Sequence, residues 1–276
     1  MTDIGIQPVT LATAVEARGF ESLFFGEHTH TPTPERNAER DPVGFDQLYD
    51  PYPTLAAAAA VTRSIKLGVA VSLVPLFHPI HLAKTIATLD RLSGGRFLFG
   101  VGGGHRVQEV EDFGVAFPDR WRATREYLQA IRTIWSNDVA EFEGSFVKFG
   151  PMRCWPKPLR AKGPPILEGS VSKYSAKRIA EYADGWLAVD SMQQGDVPGI
   201  FKLIEEEMAK AGRDAGELEH SMILRVPIGA KDAGERIAFM ADAGFHRIVF
   251  LMTRGDVAQQ QDQLEWFTEL AKTHGR

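Results

Sequence analysis
The stretch that decides the fold is RFLFGVGGGHRVQEVEDFG, Arg96 to Gly114, where an apolar run stops at a knot of glycines and a histidine. A dinucleotide-binding loop would need Gly-x-Gly-x-x-Gly between a strand and a helix. Gly100 and Gly102 fit its first two positions, but His105 stands at the third; starting from Gly102 and Gly104 puts Val107 there. The stretch also lies mid-chain, after other strand-like runs. The glycines therefore read as bare backbone at a strand's carboxyl end, where a flat ring can lie without β-carbons in the way. A tight strand-to-helix turn with a solvated histidine is the plainer alternative.

Outward from this stretch, short apolar runs alternate with helix-like segments. SLFF (Ser22–Phe25), IKLGVAVSLV (Ile65–Val74), RFLFGV, PILEG, WLAV, MILRVPIG and RIVFLM are each followed by a helical pattern. Gly94 is placed to cap the helix HLAKTIATLDRLSGG. Seven such units are clear. Ile4 to Ile6 is a weak candidate for one more strand. Apolar strands alternating with helices mean a parallel sheet covered by helices. About eight units in 276 residues make a (β/α)8 barrel the leading architecture, with its first strand short or missing. An open doubly wound sheet is the second choice. No linker is visible, so residues 1–276 are expected to form one domain. An excursion, expected to be a hairpin, falls at about 141–158, where aromatics, glycines and prolines break the pattern.

The chain carries a net charge of −5 with acidic and basic residues mixed. That lacks the concentrated basic face of a nucleic-acid binder. One cysteine, Cys154, excludes an intrachain disulfide and fits a cytoplasmic location. No run approaches the roughly 20 apolar residues of a membrane span.

In a barrel the chemistry sits at the strands' carboxyl ends. FFGEHTH puts Glu27 and His28 just past a strand, an acid beside an imidazole that titrates near neutral pH. Both, with His105, are candidate catalytic residues; a structural hydrogen bond at the rim is the bland reading. His28 and His30 lack the partners for a zinc site, so no metal is expected. AVSLVPLFHP offers a strand that bulges before Pro75, able to back a planar ring. His78 and His81, on the following helix, read as surface or capping groups. Glu168, Gly169, Ser170 and Val171 stand at another strand end before a helix, a place for an anionic phosphate; a turn without ligand is the alternative. With Gly102, these turns suggest a cofactor with a flat ring and a phosphate tail.

SLFFGEHTH, IKLGVAVSLVPLFHPIHLAKTIATLDRLSGGRFLFGVGGG and WPKP…PPILEGS…AEYADGW together resemble the bacterial luciferase-like flavin and deazaflavin oxidoreductases. The similarity is greatest to the actinobacterial branch that uses coenzyme F420. It implies a (β/α)8 barrel, usually dimeric, with the cofactor ring over the strand carboxyl ends. It implies a ring-supporting bulge, often with a non-prolyl cis peptide, at Val71, Ser72 and Leu73. It further implies phosphate contacts at Gly169, Ser170 and Val171, and a site histidine at His28. The expected activity is hydride transfer between F420 and a small organic substrate; an FMN-dependent monooxygenase and a non-catalytic F420- or flavin-binding protein are the alternatives. Relatives begin with an apolar strand that TDIGIQP hardly replaces. They also carry tryptophan, or in one branch glutamate, where His105 stands.

Overall fold
The computed structural model describes residues 4–33, 36, 47–189 and 197–275. Seven parallel strands form a nearly closed barrel: β1 (Ser22–Phe25), β2 (Lys66–Leu73), β3 (Phe97–Gly102), then β6 (Ile166–Glu168), β7 (Gly185–Val189), β8 (Glu219–Leu224) and β9 (Arg247–Phe250). Neighbours around the ring follow chain order and every pairing is parallel. That order rules out the doubly wound alternative, whose strand order reverses. The remaining strands, β4 (Ala140–Glu143) and β5 (Lys148–Met152), make the antiparallel hairpin expected of the excursion. Glu126 anchors its turn by accepting from the N–H groups of Ser145, Phe146 and Val147.

The helices follow from local signals. α1 (Pro8–Ala17) and α2 (Pro51–Val61) both open on proline, which suits a first helical turn. In α2 the Asp50 side chain caps the Tyr52 N–H, and Leu55, Ala58 and Ala59 of the alanine run are buried. Small side chains let this helix lie close to the sheet. Arg96 then gathers carbonyls left over at its end, donating to Ala59, Thr62 and Ile65. α3 (Pro79–Leu92) is capped by His78 and ends before Gly94, whose φ of +68° suits glycine. α4 (Val107–Glu111) is a short helix after β3, and α5 (Arg120–Ser136) follows it. α6 (Ser175–Tyr182), α7 (Val197–Lys210), α8 (Ala233–Asp242) and α9 (Val257–His274) complete the outer layer. Leu98, Leu167, Leu187 and Ile223 fill the barrel interior, and Phe24 lies over Gly68.

The expected strand at Ile4–Ile6 is not formed. These residues make a turn, with the Ile6 N–H donated to Gln260 in α9. Among the described residues, β1 pairs only with β2 and β9 only with β8. The seam between them is joined at the amino-end face by charge. Arg247 is buried, donates to Glu21 at 2.7 and 2.9 Å, and also binds Ser221 and Glu219.

On that same face, the His220 ring packs edge-on against Trp186 and Phe201 and stacks on His246. Burial, reinforced by the charge of His246, pushes the His220 pKa down to about 4. The folded chain therefore keeps this imidazole neutral while the unfolded chain protonates it near pH 6.5. Proton uptake then favours unfolding as pH falls from 6.5 to 4. In urea titrations across that window, the wild type should lose roughly 2–3 kcal/mol more stability than His220→Phe; parallel loss in both would refute this assignment.

Candidate functional site
The glycine knot is explained by a neighbour. β2 changes register against β3 between Val69 and Ser72, and the Ala70–Val71 peptide is cis. The bulge is at Ala70 and Val71; of the three residues expected there only Val71 belongs to it, and Ser72 and Leu73 already pair again with Val101 and Gly102. The bulge turns the Val71 side chain toward β3 and β6. A β-carbon on Gly102 would stand 2.7 Å from Val71 Cγ2, and one on Gly169 would run into Val71 Cγ1. Their bare backbone makes room for valine. Gly103 is likewise covered by the Trp121 indole, and Gly104 adopts φ +81°.

Beneath the bulge lies Glu27. It is buried and accepts a 2.5 Å hydrogen bond from the Leu73 N–H. Burial drives its pKa up to about 8, with the charges of Asp50 and Glu109 adding to the rise against the Leu73 and Ser72 hydrogen bonds. At neutral pH it is a carboxylic acid. The Ser72 hydroxyl also shares a 2.6 Å hydrogen bond with Tyr52. Glu27, expected to act beside His28, is tied to the bulge instead.

His28 pairs with Glu109. Its Nδ1 lies 2.8 Å from Glu109 Oε2, and the Thr29 N–H donates to Oε1 at 2.9 Å. Burial opposes ionisation of Glu109, but His28, the Thr29 N–H and Arg106 hold its pKa below the ordinary value. An ionised acceptor at Nδ1 fixes the proton there, so Nε2 is the basic nitrogen of neutral His28. The His105 ring stands edge-on to His28, with centroids 5.3 Å apart. Glu109 was missed in the sequence. It sits in α4, just past the glycine turn, where the sequence shows only one more acid on a short polar helix. His30 binds a different carboxylate, Asp112, and among the described residues no cluster has the make-up of a metal site.

A cavity of about 830 Å³ joins these groups. Glu27, His28, Val71, Leu73 and His105 line it at the strands' carboxyl ends, with Arg225 and Arg254 beyond β8 and β9. Its apolar side runs into the seam between β1 and β9. Such a volume, apolar with a few convergent polar groups, suits a ligand the size of a tricyclic ring. Residues 34–35 and 37–46, between β1 and α2, lie outside the described residues.

The turn after β6 differs from the free-amide cradle expected there. The Gly169 N–H is bound to Val101, that of Ser170 to the Glu168 carboxylate, and that of Ser172 to Ser175 Oγ. Glu168 is fully buried and neutralised by Arg178 at 2.7 Å. Arg178 also donates to the Ser170 and Ser172 hydroxyls. An anion here would meet hydroxyls and a guanidinium rather than a row of amides. Val171 adjoins the same turn, packed against the outer core.

The family model of luciferase-like monooxygenases matches residues 7–275, and the chain belongs to that family. It is 37% identical over 259 residues to an uncharacterised protein of Mycobacterium tuberculosis, across 91% of this chain and 89% of that one. It is 28% identical over 228 residues to an F420-dependent glucose-6-phosphate dehydrogenase of Nakamurella multipartita, across 78% of this chain and 62% of that one. The fold is also that of the oxygenating constituent of 3,6-diketocamphane monooxygenase from Pseudomonas putida in complex with FMN, with TM-score 0.75 and 19% identity over 97% of this chain and 91% of that one. The family thus contains F420- and FMN-dependent oxidoreductases and monooxygenases.

Two outcomes follow from this geometry. Gly169→Ala should destabilise the protein by roughly 1–3 kcal/mol through overpacking, and adding Val71→Ala should recover part of that loss in urea unfolding. Strict additivity of the two changes would show that they do not touch. Glu27 keeps its proton up to about pH 8 when folded but loses it near pH 4.5 when unfolded, so its contribution is present below 4.5 and lost as pH rises through 8. Glu27→Gln should remove that slope, gaining on the order of 3–4 kcal/mol over wild type between pH 5 and 8.5.

Proposed function
We propose that this chain is an F420-dependent oxidoreductase that moves a hydride between the deazaflavin and a small organic substrate. The Glu109–His28 pair at the mouth of an apolar cavity carries the reading. When bound, the coenzyme supplies a ring carbon that accepts or donates hydride. The proton is the chain's share of the work. In the oxidative direction His28 Nε2 takes the proton of a substrate hydroxyl, and the Glu109 carboxylate stabilises the imidazolium. In reverse, the imidazolium returns it to a carbonyl oxygen. His105, edge-on to His28, lines the place where the substrate would lie.

Val71 in the bulge, with Ser72 and Leu73 just after it, would support the ring, and Ser170 with Arg178 would meet the phosphate. Gly102, Glu168 and Gly169 act through these: the two glycines seat Val71, and Glu168 holds Arg178. The relatives' use of either F420 or FMN supports the cofactor class, and the F420-dependent dehydrogenase among them supports the choice made here.

Fluorescence titration of purified protein with F420 and, separately, FMN tests the cofactor; tighter binding of FMN would reverse the choice. Over a panel of small alcohols, aldehydes and enones, His28→Ala should cut turnover about 100-fold with coenzyme affinity nearly unchanged. Glu109→Gln should cut it by roughly tenfold or more. Full turnover in His28→Ala would end this assignment.

A further inference from the structure
A second, smaller cavity of about 390 Å³ lies between α5 and α6, outside the pocket of His28. Arg122, Arg125, Lys177 and Arg178 line it, against a single carboxylate, Glu181. Asp119 faces Arg122 at 2.7 Å, and Glu181 faces Arg125 at 2.5 Å. With both of those pairs made, and Arg178 matched by Glu168, the wall still carries the charge of Lys177, with Lys173 on the approach beside Tyr174. At the back, Tyr182 is buried, and its hydroxyl has no hydrogen-bond partner among the described residues. A buried hydroxyl left unpaired is unfavourable and marks a place for an acceptor oxygen.

Arg178 and Trp121 tie this pocket to the turn after β6 and to the end of β3. The Arg178 guanidinium lies 3.8 Å over the Trp121 ring and also donates to Ser170 and Ser172. Trp121 in turn covers Gly103. A ligand anchored at the Ser170–Ser172 turn therefore leads past Arg178 into the pocket. FMN ends at its phosphate. F420 continues beyond its phosphate into a chain of glutamates.

We infer that the cationic pocket between α5 and α6 receives the carboxylates of a multiply anionic tail extending from the coenzyme's phosphate. Arg125 and Lys177 hold the carboxylates as partly screened charges, and the Tyr182 hydroxyl donates to one carboxylate oxygen. The inference rests on the deazaflavin reading and adds a recognition element that FMN cannot use. No bond is made or broken, and the site acts by affinity alone.

The test compares F420 carrying several glutamates with the same deazaflavin phosphoester carrying none, by fluorescence titration at low and high salt. The wild type should bind the tailed form about tenfold more tightly, with the difference shrinking as salt rises. Arg125→Ala combined with Lys177→Ala should abolish the difference while leaving the affinity for the tail-free form unchanged. Tyr182→Phe, which keeps the ring, should reduce the difference severalfold, and circular dichroism with thermal unfolding checks that each variant is folded. Equal wild-type affinity for both forms overturns the tail site and leaves the coenzyme reading intact. Failure of both forms to bind overturns both readings.

Discussion
The rim of this barrel is organised by one packing constraint: the Val71 side chain wedged where Gly102 and Gly169 have none. Three strands meet at that contact. β2 must bulge to aim the valine there, and β3 and β6 must carry glycine to admit it. Once the bulge is set, the Leu73 N–H points at Glu27 and the Ser72 hydroxyl at Tyr52. The buried acid and the buried phenol are thus satisfied by the distortion itself, which is how a polar network survives at a strand end.

Burial and pairing sort the carboxyl groups of the site into different charge states. Burial, with the charges of Asp50 and Glu109 nearby, keeps Glu27 protonated at neutral pH against the Leu73 and Ser72 hydrogen bonds. Glu109 is as well buried by exposure, but His28, Arg106 and the Thr29 N–H stabilise its anion. Environments that drive two carboxyls apart give them separate roles. Glu27 is a neutral strut beneath the bulge, and Glu109 is the anion that orients His28.

The seam between β1 and β9 shows how a barrel with seven paired strands holds together. No ladder joins those two edges among the described residues, and an ion cluster centred on buried Arg247 closes their amino ends. Toward the carboxyl ends the same seam stays open and becomes part of the large cavity. Unpaired backbone edges tolerate such an arrangement when they face a cavity that water or a ligand can enter.

The sequence by itself determined the alternation of strands and helices, the seven strand positions, the 141–158 excursion and the rim placement of His28 and His105. These depend on apolar periodicity and chain-local turn residues, which a linear reading samples directly. Through the family resemblance it also pointed to the end of β2 as bulged, overlapping the actual bulge at Val71 alone. Tertiary structure decided the rest. Glu109 meets His28 across 81 positions, Val71 fills the glycines' space from another strand, and Glu168 takes up the Ser170 amide of a turn that looked open. The expected first strand gave way to a turn held by Gln260, more than 250 positions away. Each of these is a contact between segments distant in sequence, where the partner, not the residue's own propensity, sets orientation and charge.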